Sequence, residues 1–243
     1  MSMLDFNLVM DLHNHTIWSD GADKPEDIIL NAINHQVEAV GIADHFCNDG
    51  KYSLGFDKLK IYLRKIDMLR KKYINSIKVF IGIEIAYSYL LKNYSTLPYD
   101  LINQLDFILL ENLDYIPATT KLEDVTSLLN GFKCSKGLAH TDLVKLCEKY
   151  EGKGGIDYVL EFMKQGELFW EINTDSAHDV FLNILNPSKN DEKTKLLVEG
   201  IIKRKIHVSV GSDTHSLVQY DYGRLKAANE VAKMLNVGAN NIF

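Results

Sequence analysis

The sequence predicts an α/β fold, a distorted TIM-like (β/α)7 barrel forming one domain over residues 1–243. Two observations carry this expectation: strand-like and helix-like runs alternate without a break, and metal-ligand residue types recur at the strand ends. The β-rich runs are Leu8 to Leu12, Val37 to Ala43, Lys78 to Ile85, Asp106 to Leu110, Gly137 to Ala139, Leu168 to Ile172 and His207 to Val210. Helical patterns fill the intervals at Lys24 to Asn34, Asp57 to Tyr73, Lys121 to Leu129, Ile156 to Lys164 and Lys193 to Lys203, and a last one runs from Tyr222 to Leu235. In DKPEDIILNAI, Asp23 suits the cap, Pro25, Glu26 and Asp27 suit the first turn, and Ile28, Ile29, Ala32 and Ile33 form the apolar face. After Ile108 no long helix is legible before Lys121. Strand–helix alternation makes a parallel sheet. Seven strands in one uninterrupted pattern favour a closed barrel over an open doubly wound sheet.

Composition narrows the class without reaching function. A chain of 243 residues fits one large domain with a full core, and its 46% apolar and 25% charged residues are ordinary globular values. A net charge of -6 argues against a nonspecific nucleic-acid binder. Cys47, Cys134 and Cys147 are odd in number and lack the paired spacing of a zinc knuckle or a disulfide framework, which fits free thiols in a reducing cytoplasm. With no basic and apolar leader and no long apolar run, a cytoplasmic protein that does not span a membrane is expected.

The residues at the strand ends define the chemistry. VMDLHNHTIWSDG supplies His13, His15 and then Asp20; GIADH ends at His45, FIGIE at Glu84 and GLAH at His140, while VSVGSDTH carries Asp213 and His215. Neutral imidazole and carboxylate bind Zn²⁺, Mn²⁺ or Fe²⁺, and the C-terminal strand ends are where a barrel builds its site. Side chains two apart on an extended segment point the same way, so His13 and His15 can reach one ion. A lone His or Asp is more often a hydrogen-bonded core group or a cap, but recurrence at one end of one sheet outweighs that reading. His35 and His207 fall at the opposite face and read as packing or solvent residues, whereas His178 follows the sixth run at the site end. Ser19 and Ser212 lack the strand-turn-helix elbow of an activated serine.

Taken together, DLHNHTIWSDG, GIADHF, GIEI, GLAHTDL and GSDTH resemble the motifs of the polymerase and histidinol phosphatase (PHP) superfamily, from Asp11 to about Leu235. The resemblance implies a (β/α)7 barrel that holds two or three divalent ions, Zn, Mn or Fe, and hydrolyses phosphoesters. By position it implies His13, His15 and Asp213 on a first ion, Asp20, His45 and His140 on a second, Glu84 bridging to a third, and His215 on that third. Phosphatase members usually end the fourth strand in G-S-x-H. Here the stretch is DFILLENLD, Leu113 takes the place of the imidazole, and Glu111, two residues earlier, is the candidate replacement. A carboxylate there tilts the site toward Mn²⁺, Fe²⁺ or Mg²⁺ relative to Zn²⁺.

The implied reaction is in-line attack on phosphorus by a metal-bridging hydroxide, because bound water can reach a pKa of about 7. Asp213, His215 and His178 are the candidate catalytic residues, and the leaving alkoxide takes its proton from a metal-bound water, His215 or His178. The resemblance points to a small phosphomonoester such as histidinol phosphate. Lys145 in HTDLVKL and Arg224 in DYGRLK are candidate phosphate clamps or, equally, solvated charges. Glu171 and Asn173 in WEINT either bind substrate amino or hydroxyl groups or support the ligating imidazoles. Two other readings stand beside this one. A nuclease or nucleotide phosphoesterase of the same superfamily would need a basic strand-tracking groove with aromatic platforms, and no such cluster is legible. A noncatalytic metal-binding barrel acting as a partner module is the other, on the strength of Leu113.

Overall fold

A computed structural model describes residues 4–47, 52–175, 180–186 and 192–240. Its sheet has seven strands in chain order, β1 Met10–Asp11, β2 Ala39–Ile42, β3 Lys78–Ala86, β4 Phe107–Glu111, β5 Ser135–Ala139, β6 Leu168–Asn173 and β7 Val208–Gly211. Every neighbouring pair is parallel, as helical crossovers require. The ring closes through single contacts rather than a ladder: Leu12 N–H donates to the Val210 carbonyl at 2.8 Å, Asp213 N–H to the His13 carbonyl at 2.8 Å, and Asn14 bridges Thr214. The fold is therefore the distorted TIM-like barrel expected from the alternation.

The helices are α1 Pro25–Asn34, α2 Phe56–Lys72, α3 Tyr87–Asn93, α4 Tyr99–Ile102, α5 Leu122–Leu129, α6 Leu143–Lys149, α7 Ile156–Gln165, α8 Val180–Leu185, α9 Glu192–Arg204 and α10 Tyr222–Asn240. Amphipathic periodicity locates α1, α2, α5, α7 and α9 to within a residue at each end. It misses α3, α4, α6 and α8, which have only four to seven residues and so complete at most two turns. Between β4 and α5 there is indeed no long helix, only a 3-10 turn at Leu113–Tyr115. The cap of α1 is a correction. Pro25 takes the first helical position, the cap falls on Lys24, and Asp23 lies one residue outside. Its carboxylate instead accepts the Leu217 N–H at 2.7 Å, tying the loop after β1 to the loop after β7.

Two packing devices position the mouth of the barrel. Gly82 lies two residues before Glu84 and so shares its face of β3. It is the register partner of Phe107, as Gly137 is of Phe169. A Cβ at Gly82 would fall 2.3 Å from the Phe107 ring, and one at Gly137 2.1 Å from that of Phe169. Each ring fills the volume its neighbouring strand leaves empty, making an apolar floor beneath the strand ends.

The second device is on α10. Asn229 Oδ1 accepts the Met10 N–H at 2.8 Å while its Nδ2 donates to the Met10 carbonyl at 2.9 Å. Seven residues on, Asn236 repeats the pattern with Val208, accepting its N–H at 2.8 Å and donating to its carbonyl at 2.7 Å. Met10 and Val208 begin β1 and β7, the strands that lack a ladder between them, and the buried amides supply the partners a further strand would have given. Among the described residues no helix is long and apolar enough to cross a membrane.

Candidate metal centre

Strand ends and the loops after them bring the donors together. His13 and His15 follow β1, Asp20 lies further along the same loop, His45 follows β2 and bridges to Glu84 of β3, Glu111 ends β4, His140 follows β5, and Asp213 and His215 follow β7. His140 and Asp213 both hold left-handed backbone, φ 51° and 56°. Such conformations cost a non-glycine residue roughly 1–3 kcal/mol and persist where the surroundings over-determine them. Here the two side chains meet, His140 Nε2 lying 3.1 Å from Asp213 Oδ2.

Glu84 is the hub. Its Oε2 is 2.9 Å from His45 Nδ1, 3.4 Å from His13 Nε2 and 3.5 Å from His15 Nε2, and its Oε1 is 3.2 Å from His140 Nε2. His15 Nε2 also stands 3.1 Å from Asp213 Oδ1, and His215 Nε2 3.3 Å from Asp20 Oδ2. Nine residues, five His and four Asp or Glu, form four groups whose donor atoms lie within 4.8 Å of one another. The groups are His15, Asp20, His45 and His215; His13, His15 and Asp213; His13, Glu84 and His140; and His45, Glu84 and Glu111. Each shares a residue with the next and the last shares His45 with the first, so the donors form a closed ring.

The burial of this set demands a counter-charge. Both oxygens of Glu84, Asp213 Oδ1 and His15 Nδ1 are buried without a hydrogen-bond partner. His13 Nε2 and His15 Nε2 face each other at 2.9 Å. Buried carboxylates left without donors are strongly unfavourable unless a cation neutralises them. The four carboxylates carry four negative charges, the complement of two divalent ions. The donor set thus fits divalent metal ions, with imidazole and carboxylate as the ligand chemistry.

The protonation of the metal-free set reflects the same crowding. Burial opposes charge on His13, yet Glu171, Glu84 and Asp213 outweigh it and hold its pKa well above the usual imidazole value. Burial likewise opposes ionisation of Glu84, but the His13, His140 and His45 rings prevail and keep it well below the carboxylate range. His140 is desolvated yet lifted to about 9 by Glu84 and Asp213, and the Asp20 hydrogen bond lifts His215 to about 9. Burial pushes His15 down and Glu111 up, the latter helped by Glu84.

Not every expected grouping recurs. Asp20 and His45 meet His215 and His15, whereas His140 joins His13 and Glu84. Glu111 groups with His45 and Glu84 and not with His215. Leu113 does not share an extended face with Glu111, because Asn112 takes left-handed backbone at φ 60° and Leu113 starts the 3-10 turn, fully buried in the core. Arg224 holds the loop after β6: its Nε donates to the Thr174 carbonyl at 2.8 Å, its Nη2 to that of Asp175 at 3.0 Å, and the guanidinium lies over the Phe181 ring. Lys145 lies on α6, exposed, with its Nζ 3.5 Å from Asp142. Glu171 and Asn173 are buried at the end of β6, Glu171 against His13. His178 lies outside the described residues.

Two carboxylates escaped the sequence reading. Asp44 accepts the Thr16 N–H at 2.8 Å and the Ser19 hydroxyl at 2.7 Å, pinning the loop that carries Asp20. Asp11 accepts the Ser212 N–H at 2.8 Å, one residue before Asp213. Both sit beside ligand-type residues, in DLH and ADH, and that adjacency was the available signal.

The parallel barrel with this ring of imidazoles and carboxylates at its mouth, together with the family match over residues 11–193, makes the chain a metal-dependent phosphoesterase, a hydrolase. Residues 11–193 match the PHP domain, and the chain belongs to that family. Among solved structures the fold is similar to histidinol phosphate phosphatase of Lactococcus lactis subsp. lactis, solved with Zn, L-histidinol and phosphate (19% identity, 93% of each chain, TM-score 0.59). A putative histidinol phosphatase from Listeria monocytogenes is also 19% identical over 88% of this chain and 98% of that one, with a TM-score of 0.58. Metal-dependent tyrosine phosphatases of Bacillus subtilis and Streptococcus pneumoniae share 16% identity over 94% of each chain at a TM-score of 0.50. No curated protein matches the sequence.

Proposed function

We propose that the protein hydrolyses a small phosphomonoester of the histidinol phosphate kind, using two or three divalent ions, Zn, Mn or Fe, in the cytoplasm. The observation that carries this is the closed ring of donor groups. His13, His15, Asp20, His45, Glu84, Glu111, His140, Asp213 and His215 would hold the ions, with Glu84 at the hub of the set. Bound there, the ions supply positive charge for the phosphoryl oxygens and a water acidified enough to act at neutral pH. His215 has the most exposed side chain of the five imidazoles, at 37%; as a ligand it would carry no proton to give, so a water at the site would protonate the departing alkoxide. Lys145, five residues beyond His140, is the cation assigned to phosphate, and Arg224 and Asn173 shape the β6 loop at the edge of the site. Cys134 and Cys147 are buried thiols, which fits a reducing compartment.

The test is elemental analysis of protein purified without added metal, paired with hydrolysis of phosphomonoesters, histidinol phosphate included, and of single-stranded DNA under Mn²⁺, Zn²⁺ or Fe²⁺. Phosphomonoester turnover should lead at equal metal loading; the reverse ranking moves the assignment to a nuclease. In the same assays Glu111→Ala should lower metal stoichiometry and turnover together, and a variant matching wild type in both removes Glu111 from the donor set.

Acidity should act on the metal-free and metal-bound protein in opposite senses. The folded pKa values of His140 and His215, about 9, lie above the ordinary imidazole value of about 6.5, so their protonation stabilises the metal-free fold fully below about pH 6.5. That contribution is lost as pH rises through about 9. Metal displaces those protons, so its binding strengthens over the same window. The Tm of chelator-treated protein should therefore fall from pH 6.5 to 9 while the Tm gain on adding Mn²⁺ grows. A gain that shrinks with rising pH contradicts the assignment.

A further inference from the structure

His13 is fully buried and belongs to two of the four donor groups, so its ring orientation governs more of the centre than that of a terminal ligand. Its two nitrogens have different surroundings. Nε2 points among the donors, 2.9 Å from His15 Nε2, 3.4 Å from Glu84 Oε2 and 3.6 Å from Asp213 Oδ1. Nδ1 points the other way, 2.8 Å from Glu171 Oε1. A neutral imidazole that offers its Nε2 lone pair to a metal carries its proton on Nδ1, and that proton needs an acceptor. Glu171 belongs to none of the donor groups, is buried, and has its other oxygen engaged by Asn173 Nδ2 at 3.3 Å.

His13 follows β1 and Glu171 sits on β6, and β7 lies between those strands. Gly211, the last residue of β7, leaves the passage open: a Cβ there would fall 2.4 Å from His13 Cβ and 2.5 Å from Glu171 Oε1. We infer that Glu171, reaching past Gly211, is a positioning residue that fixes His13 as the Nδ1–H tautomer and aims its Nε2 into the metal cluster. The carboxylate also makes the imidazole a stronger donor, as outer-shell carboxylates do for ligating histidines. This assignment rests on the metal reading above and takes Glu171 out of substrate binding.

The experiment compares wild type with Glu171→Gln and Glu171→Ala. Apparent Mn²⁺ affinity is read by competition with a chelator, and KM and kcat are read at saturating Mn²⁺. Glutamine keeps an oxygen able to accept from Nδ1 but loses the charge, whereas alanine loses both. The expected order of affinity is wild type, then Glu171→Gln, then Glu171→Ala, with alanine about 10–100-fold weaker than wild type. Gly211→Ala, which pushes the two side chains apart, should weaken affinity in the same direction. If Glu171→Ala does not fold, the nearly isosteric glutamine decides. Wild-type Mn²⁺ affinity in Glu171→Gln and Glu171→Ala overturns the inference, and a raised KM beside that unchanged affinity would return Glu171 to substrate contact. A wild-type protein that binds no Mn²⁺ overturns the metal reading and this inference together.

Discussion

His13→Ala should abolish phosphoester hydrolysis and leave a folded barrel. The substitution removes one donor from each of two groups, those with His15 and Asp213 and with Glu84 and His140, so it opens the ring at adjacent links. Loss of an outer-shell partner alone costs a metal site roughly 10–100-fold, and loss of a shared ligand should cost more. Folding survives because the floor of Phe107 and Phe169 over their glycines lies below the mouth and does not involve the imidazole. Turnover at saturating Mn²⁺ and the circular dichroism of the variant check both halves. Retained turnover would falsify the metal-based mechanism, and Asp213→Ala should behave in the same way.

Asn236→Ala should be strongly destabilising although it lies outside the centre. It strips the buried Val208 N–H and carbonyl of their partner and also frees the Phe6 carbonyl, which Nδ2 reaches at 2.8 Å. An orphaned buried polar group costs about 1–3 kcal/mol, so leaving the two groups of Val208 unpaired amounts to roughly 2–6 kcal/mol. For a chain of this size each kcal/mol moves Tm by about 2–4 °C. Thermal unfolding of the metal-free protein should show a drop on the order of 5–15 °C, with Asn229→Ala close behind. A Tm within a degree of wild type would mean that the amide is not what satisfies the start of β7.

The donors were legible because chemistry in a barrel collects at one end of the strands, and His13, His45, Glu84, His140 and Asp213 each close an apolar run. Their partition was not. Which imidazole meets which carboxylate depends on loop backbone, such as the left-handed turns at His140, Asp213 and Asn112, and no local spacing encodes those. The Asn112 turn is also why a strand register carried forward from Glu111 misplaced Leu113. The short helices were illegible for a related reason, since α6 places only Leu143, Leu146 and Cys147 in the core. Asn229 and Asn236 were not singled out, and Asn236 lies past the expected helix end at Leu235, because only the missing ladder between β1 and β7 gives their amides a task.

The closure of the ring joins residues far apart along the chain. His13 and Asp213 are 213 − 13 = 200 positions apart, yet the Asp213 N–H reaches the His13 carbonyl at 2.8 Å. Closing a loop of that length in one step would carry an entropic penalty near (3/2)RT ln n, about 5 kcal/mol, which stepwise pairing of the intervening strands spreads over their crossovers. Each neighbouring strand pair forms across one short crossover, so the β1–β7 contact completes last during folding. An ion that needs donors from both ends can bind only after that step. Once bound it would clasp the two ends of the chain, so the metal-loaded barrel should be more stable against unfolding than the metal-free one.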